Sequence, residues 1–287
     1  MLYYYAHTGH KIGLDRAKRG AAVIKALKEA HIEAQLLVND FRAGVALKEH
    51  GISEYVTIET IQDIDAIAQT GDSVIIDSDE DDHGRLVKYV SDFKQVWRFA
   101  HDSHDRSVHG EILFRPDCDS DECLEAVIID TWYFEEGTKE DRLLFFLGDS
   151  DHDKTVLGHE AFFNAFEMEL LLGHYFFVKY EEDLAKVFTQ LHEPEEYIEL
   201  IRSSSTVITA SSQTALEAKA SGAKAVYLDI GKASLYPPAL LQQYGVDVVQ
   251  GFDVEAVKNV LTSAAPKADK QIKKLNINKI AEMYKEN

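Results

Sequence analysis

Cysteine is nearly absent: the 287 residues hold two, Cys118 and Cys123, within the run DCDSDEC. A structural zinc site of the usual kind draws on four Cys/His ligands, and a CxxxxC without a second pair does not supply them. Both are therefore read as reduced thiols. No stretch approaches the ~20 apolar residues of a membrane-spanning helix. The opening MLYYYAHTGH lacks a basic n-region and a long apolar h-region, so no signal peptide is read and a cytoplasmic protein is expected. Positive charge is scarce as well: 30 Lys+Arg face 50 Asp+Glu, a net charge of −20. Such a field disfavours nucleic acid and anionic membranes as partners, and leaves room for a small anion only where cations are focused locally. Solenoid repeats and low-complexity tracts are also missing from the sequence.

What remains is an ordinary globular composition, 45% hydrophobic and 28% charged. At roughly 100–200 residues per domain, the length favours two domains. Apolar runs alternate with helical stripes along the whole chain. Strands are expected at 2–8, 32–38, 54–58, 73–77, 95–100, 111–116 and 126–130, and again at 142–148, 168–178, 205–210 and 224–230. Helices are expected at 15–30, 41–50, 59–69, 84–93, 154–166, 181–191, 194–203 and 214–221, with a mostly helical tail over 253–286. The polar break EEGTKED at 135–141 divides two series. The pattern predicts an α/β protein of two Rossmann-like, doubly wound domains facing across a cleft. The expected domains are 1–138 and 139–287, with the last helix packing back on the first.

Ligands of open α/β sheets sit beyond the carboxyl ends of the strands. The first strand is followed by His7, Thr8, Gly9 and His10, and the strand at 73–77 leads into Asp77, Asp79, Glu80 and His83. The next is followed by His101, Asp102 and His104. In the second half come Gly148, Asp149, Ser150 and Asp151, then Ser211, Ser212, Gln213 and Thr214. The Ser211–Thr214 segment opens a helix, where free amides and the dipole favour phosphate and where hydroxyls also serve as caps. Glu217 is one turn further in, placed to accept from ribose hydroxyls or to lie exposed on the helix. The first turn, GHKIGLDRAKRG, carries Lys11, Arg16, Lys18 and Arg19. In so acidic a chain this reads as an anion-binding mouth or as a basic helix face.

These residues resemble the GT-B nucleotide-sugar enzymes. The nearer likeness is to the UDP-sugar hydrolase of pseudaminic acid biosynthesis, the more distant one to MurG-type glycosyltransferases. The hydrolase pattern Ile-Gly-x-Gly-His-x-Lys-Arg is similar to Ile12-Gly13-Leu14-Asp15-Arg16-Ala17-Lys18-Arg19. Its later motifs resemble Ile75-Ile76-Asp77, Phe99-Ala100-His101-Asp102 and Leu147-Gly148-Asp149-Ser150-Asp151, and then Ile208-Thr209-Ala210-Ser211-Ser212 with Glu217. Glu217 and Gly222 keep the Glu-x4-Gly spacing of GT-B donor sites. Arg16 stands where the family has its catalytic histidine, and an arginine is no general base near neutral pH.

The resemblance implies a glycosyltransferase or sugar-nucleotide hydrolase that takes a UDP- or CMP-sugar between its domains and needs no tightly held metal or other cofactor. Gly148, Asp149, Ser211, Ser212, Gln213 and Glu217 would hold the nucleotide, and Gly13, Arg16, Lys18 and Arg19 the phosphates. His10 would be the base, oriented by Asp77 or Asp102, with His7 as its substitute. Two other readings stay open. One is a non-catalytic nucleotide or sugar binder. The other is a metal-dependent phosphohydrolase built on the Asp/His loops at 77–83, 101–105 and 149–153.

Overall fold

The computed structural model describes residues 1–116, 118, 123–176 and 178–286. They form two compact units: residues 1–130 together with the C-terminal segment from Lys274, and Thr131–Lys273.

The first unit is a seven-stranded parallel sheet. Its strands are β1 (Leu2–Ala6), β2 (Ala34–Val38), β3 (Tyr55–Thr57), β4 (Ser73–Asp77), β5 (Gln95–Phe99), β6 (Ile112–Arg115) and β7 (Leu124–Glu125), in the order β3-β2-β1-β4-β5-β6-β7. Every residue of β1 and β4 is buried, as a parallel strand covered on both faces requires. On one face Tyr3, Tyr5, Val74 and Ile76 pack with Ile61, Ile64, Tyr89 and Phe93. The last helix, Asn278–Glu286, is tied to this unit by Lys94 Nζ donating to the Tyr284 carbonyl at 2.6 Å and Lys279 Nζ to the Cys123 carbonyl at 2.7 Å.

The second unit has six parallel strands. These are β8 (Glu140–Phe146), β9 (Glu169–Leu171), β10 (Leu191–His192), β11 (Ser204–Thr209), β12 (Lys224–Asp229) and β13 (Asp247–Gln250), in the order β10-β9-β8-β11-β12-β13. Its core is aromatic: Phe145, Phe162, Phe163 and Phe188 cluster with Leu170, Ile208, Val226 and Val249. Among the described residues, no helix is long and apolar enough to cross a membrane.

Several expectations change. The apolar run at 126–130 is not a strand; β7 ends at Glu125 and a 3-10 turn follows at Thr131–Phe134. The run expected as a strand over 168–178 pairs only through Leu171, because the chain turns at Gly173. The tail is helical only at Val254–Thr262 and Asn278–Glu286. Cys118 and Cys123 are joined in a disulfide, their Cα atoms 5.7 Å apart. That separation is within bridging distance, which corrects the reading of both as reduced thiols.

Candidate functional site

In each sheet the first strand leads to one neighbour on either side, so the strand order reverses beside β1 and beside β8. These are the switch points at which open α/β sheets bind ligands.

In the first unit the switch point lies between β1 and β4, and the loops after both strands meet there. His7 Nδ1 is 2.6 Å from Asp79 Oδ1, and Arg16 Nη2 is 3.1 Å from Asp79 Oδ2. The His7 hydrogen bond and the Arg16 charge hold the Asp79 carboxyl far below the usual carboxylate range. An ionised carboxylate only accepts, so the Nδ1 proton belongs to His7 and Nε2 is the basic nitrogen of the neutral ring. Nε2 lies 3.9 Å from Glu80 Oε1. The other Glu80 oxygen accepts from Tyr5 Oη at 2.5 Å and Ser78 Oγ at 2.9 Å. Burial and the Glu80 charge push the Tyr5 phenol well above its ordinary value, so it stays a donor.

The other residues expected here have varied places. Gly13 has φ +88° and donates its amide to the Gly9 carbonyl at 2.8 Å, closing the loop that starts the Asp15–Glu29 helix. A residue with a Cβ would be strained there. Arg19 is buried and clamps Asp77, while Lys18 is buried 3.6 Å from Asp15 Oδ1. Neither lines an open mouth, because the helix turns both inward. Of the four cations, Lys11 is exposed and Arg16 bridges Asp77 and Asp79.

The expected orienters of His10 are engaged otherwise. Asp77 Oδ2 accepts from Tyr4 Oη at 2.6 Å and from Arg19. Asp102 Oδ1 accepts the amides of His104 at 2.7 Å and Asp105 at 3.0 Å, shaping its own turn. His10 itself is exposed. His7 is an imidazole with a carboxylate at hydrogen-bond distance at this switch point.

In the second unit the switch point lies between β8 and β11. Gly148 has φ +143°, and Asp149 is buried with its carbonyl accepting the Tyr175 amide at 2.9 Å. Asp151 accepts the Thr155 amide at 2.6 Å and the Val156 amide at 3.1 Å, with Tyr180 Oη donating to it at 2.6 Å. It therefore fixes the loop. Ser150 Oγ is buried without a hydrogen-bond partner among the described residues. Across the switch point, Ser211 caps the Ser212–Ala220 helix by accepting the Thr214 amide at 3.0 Å. Ser212 is buried, and its amide has no acceptor among the described residues. A buried polar group without a partner costs free energy unless something else meets it.

Glu217 departs from the expected ribose-facing position. It is 2% exposed; Oε2 accepts from Tyr197 Oη at 2.6 Å and Oε1 from Gln213 Nε2 at 2.9 Å. Tyr197 Oη also meets Thr214 Oγ1 at 2.7 Å, and Tyr236 donates to Gln213 Oε1 at 3.1 Å and, through its amide, to Ser212 Oγ at 3.1 Å. The side chains of Gln213 and Glu217 thus brace the start of the helix from inside. Tyr197 and Tyr236 carried no signal in the sequence. Tyr197 reads as core on an amphipathic helix, and Tyr236 lies in a loop 24 residues after Ser212.

Solved structures share this architecture over nearly the whole chain. The fold is of the GT-B type. Methanocaldococcus jannaschii UDP-GlcNAc 2-epimerase, crystallised with UDP-GlcNAc and UDP, matches with a TM-score of 0.55 at 13% identity, over 92% of this chain and 94% of that one. S. aureus MnaA, in a co-structure with UDP, gives 0.60 at 13%, over 91% and 88%. The spinosyn rhamnosyltransferase SpnG, complexed with spinosyn aglycone, gives 0.56 at 11%, over 92% of each chain. At these identities the likeness is one of fold. No protein-family model and no curated protein sequence matches the chain. Among the described residues, no three His, Cys, Asp or Glu side chains converge as a metal-ligating group.

Proposed function

We propose that this chain is a nucleotide-sugar enzyme. Its nucleotide phosphates are held at the opening of the Ser212–Ala220 helix, and His7 acts as general base on a hydroxyl or water.

The observation that carries the reading is a pair of groups at the second switch point without a partner among the described residues, the Ser212 amide and Ser150 Oγ. Both are polar and buried, and they follow adjacent parallel strands. The amide adds the positive end of the helix dipole, which suits phosphate. The two solved structures of similar fold that contain UDP favour uridine over cytidine. The likeness to the pseudaminic-type hydrolase and to glycosyltransferases supplies two candidate reactions, with water or a sugar hydroxyl as nucleophile.

For the chemistry, the His7–Asp79 pair supplies an imidazole whose Nδ1 is held by the carboxylate and whose Nε2 is the nitrogen left to take a proton, with the carboxylate steadying the imidazolium once it forms. Arg16, in the position that resembles the family histidine, is a fixed cation beside that carboxylate. It cannot take a proton, but it holds Asp79 ionised, so the role of base passes to His7.

The test is calorimetric titration with UDP, CMP and UDP-N-acetylglucosamine, followed by chromatography of the products. UDP should bind more tightly than CMP, and UDP release should depend on His7. His7→Asn should retain UDP affinity and lose about 100-fold in turnover, the usual contribution of a positioned base. Undiminished turnover in His7→Asn removes the base assignment. UDP binding without turnover of any nucleotide-sugar identifies a binder. Absence of binding by all three ligands ends the reading.

A further inference from the structure

A cavity of about 490 Å³ opens in the first unit above the carboxyl ends of β1, β2 and β3, and His7 and His10 are part of its lining. Its volume suits a small organic molecule. The lining is rich in donors. Lys11 is exposed and has no ion-pair partner among the described residues, and the Arg42 guanidinium lies 3.8 Å from Asp40 Oδ1. Asn39 accepts from the Thr8 amide at 2.7 Å and from Thr8 Oγ1 at 3.0 Å through the same oxygen, Oδ1. Those two bonds fix which way its amide faces and leave its NH2 as a donor. Asp40, the carboxylate of the lining, already accepts the Arg42 amide at 2.9 Å. In a chain of net charge −20 this is a local reversal of sign.

A second feature coincides with the first. Large exposed hydrophobic side chains are few among the described residues, and two of them, Phe41 at 63% and Ile12 at 40%, line this cavity. A third, Val45 at 48%, is one helical turn beyond Phe41 on the Phe41–Ala46 helix. Isolated exposed apolar residues need no explanation, but a cluster at the mouth of a polar cavity marks a binding surface.

We infer that this cavity binds a small organic anion, a phosphate or carboxylate attached to an apolar ring. The anion lies on Lys11, Arg42 and Asn39, and the ring lies against Phe41 and Ile12. Charge-assisted hydrogen bonds hold the anion, and the Phe41 face takes the ring. Inorganic phosphate would leave the apolar wall in water. None of these side chains holds the nucleotide phosphates, and His7, which also lines the cavity, is not among the groups assigned to the anion or the ring.

Phenyl phosphate is the probe, with benzoate as the carboxylate arm and inorganic phosphate as the ringless control. Binding is read from amide shifts of the full chain by NMR. Phenyl phosphate should saturate below about 1 mM, shifting the amides of Thr8, Lys11 and Phe41. Lys11→Ala and Arg42→Ala should each weaken it about tenfold. Phe41→Ala should weaken phenyl phosphate about fivefold and leave inorganic phosphate unchanged. Lys11 and Phe41 are exposed, so their variants should keep the parent melting curve. Benzoate bound through the same residues assigns a carboxylate, and its failure beside phenyl phosphate assigns a phosphate; either supports the site. Phenyl phosphate bound no better than inorganic phosphate, or bound equally well by Lys11→Ala and Phe41→Ala, overturns it. A parallel UDP titration separates the two proposals: loss of UDP binding with phenyl phosphate retained sinks only the nucleotide reading.

Discussion

Arg19 and Asp77 face each other through two hydrogen bonds, Nε to Oδ2 at 2.9 Å and Nη2 to Oδ1 at 2.6 Å, with both side chains buried. Tyr4 Oη adds a third bond to Oδ2, and the Arg19 guanidinium lies 3.6 Å over the Phe99 ring. The clamp locks the Asp15–Glu29 helix to the end of β4, the strand from which the Asp79 loop departs. Arg19 thereby serves the architecture around His7 and Asp79 and is not presented to a ligand phosphate.

Removing one half of this clamp leaves a buried, uncompensated charge. Asp77→Ala should destabilise the protein by about 3–5 kcal/mol, and a volume-matched apolar pair at both positions should cost much less. Urea denaturation of the single and double variants checks this. A loss under ~1 kcal/mol for Asp77→Ala would show that water reaches the pair.

Glu217 is expected to matter to stability first. Glu217→Ala removes the buried acceptor shared by the Tyr197 hydroxyl and the Gln213 amide and should cost about 2–3 kcal/mol, whereas Tyr197→Phe should cost about 1 kcal/mol. Thermal or chemical denaturation reads both. Full stability in Glu217→Ala would mean that the carboxylate is not part of the brace.

Asp105 gives a pH signature. Arg98 donates to both of its oxygens, at 2.5 and 2.8 Å, and the His101 amide donates at 2.9 Å. The Arg98 hydrogen bonds, with that amide and the Arg98 charge, outweigh burial and lower its pKa from 3.8 to about 2. The folded value lies below the unfolded one. The contribution is therefore complete above about pH 4 and is lost as pH falls toward 2, on the order of 1–2 kcal/mol for a partly exposed group. Urea midpoints measured from pH 5 to pH 2 should converge for the parent and Asp105→Asn as the pH drops. A constant gap across that range would contradict the assignment.

Gly173 is where the turn after β9 crosses the β8 loop. A Cβ there would lie 2.4 Å from the backbone carbonyl carbon and oxygen of Asp149 and 2.5 Å from the Gly148 carbonyl oxygen. Backbone cannot yield as a flexible side chain does. Gly173→Ala should cost about 1–3 kcal/mol and should also weaken UDP binding by displacing Ser150. Denaturation and calorimetry of this variant check both effects.

The sequence by itself determined the alternation of strands and helices. Val, Ile, Leu and aromatic runs such as SVIID and RLLFFL have no stable place except inside a covered parallel sheet. It also placed His7, Asp79, Ser150 and Ser212 at strand ends, because the polar residues follow each apolar run directly. Strands with weaker runs were not legible: β10 and β13 have two and four residues and are held by their neighbours. Partnership was decided only by the tertiary structure. Arg19 meets Asp77 across 58 residues, Tyr197 meets Glu217 across 20, and His7 meets Asp79 across 72. A charged side chain in a helix reads the same whether it turns to solvent or to a buried carboxylate. The choice rests on the free energy of desolvation against that of the pair, and both terms exist only once the sheet has brought the two strand ends together.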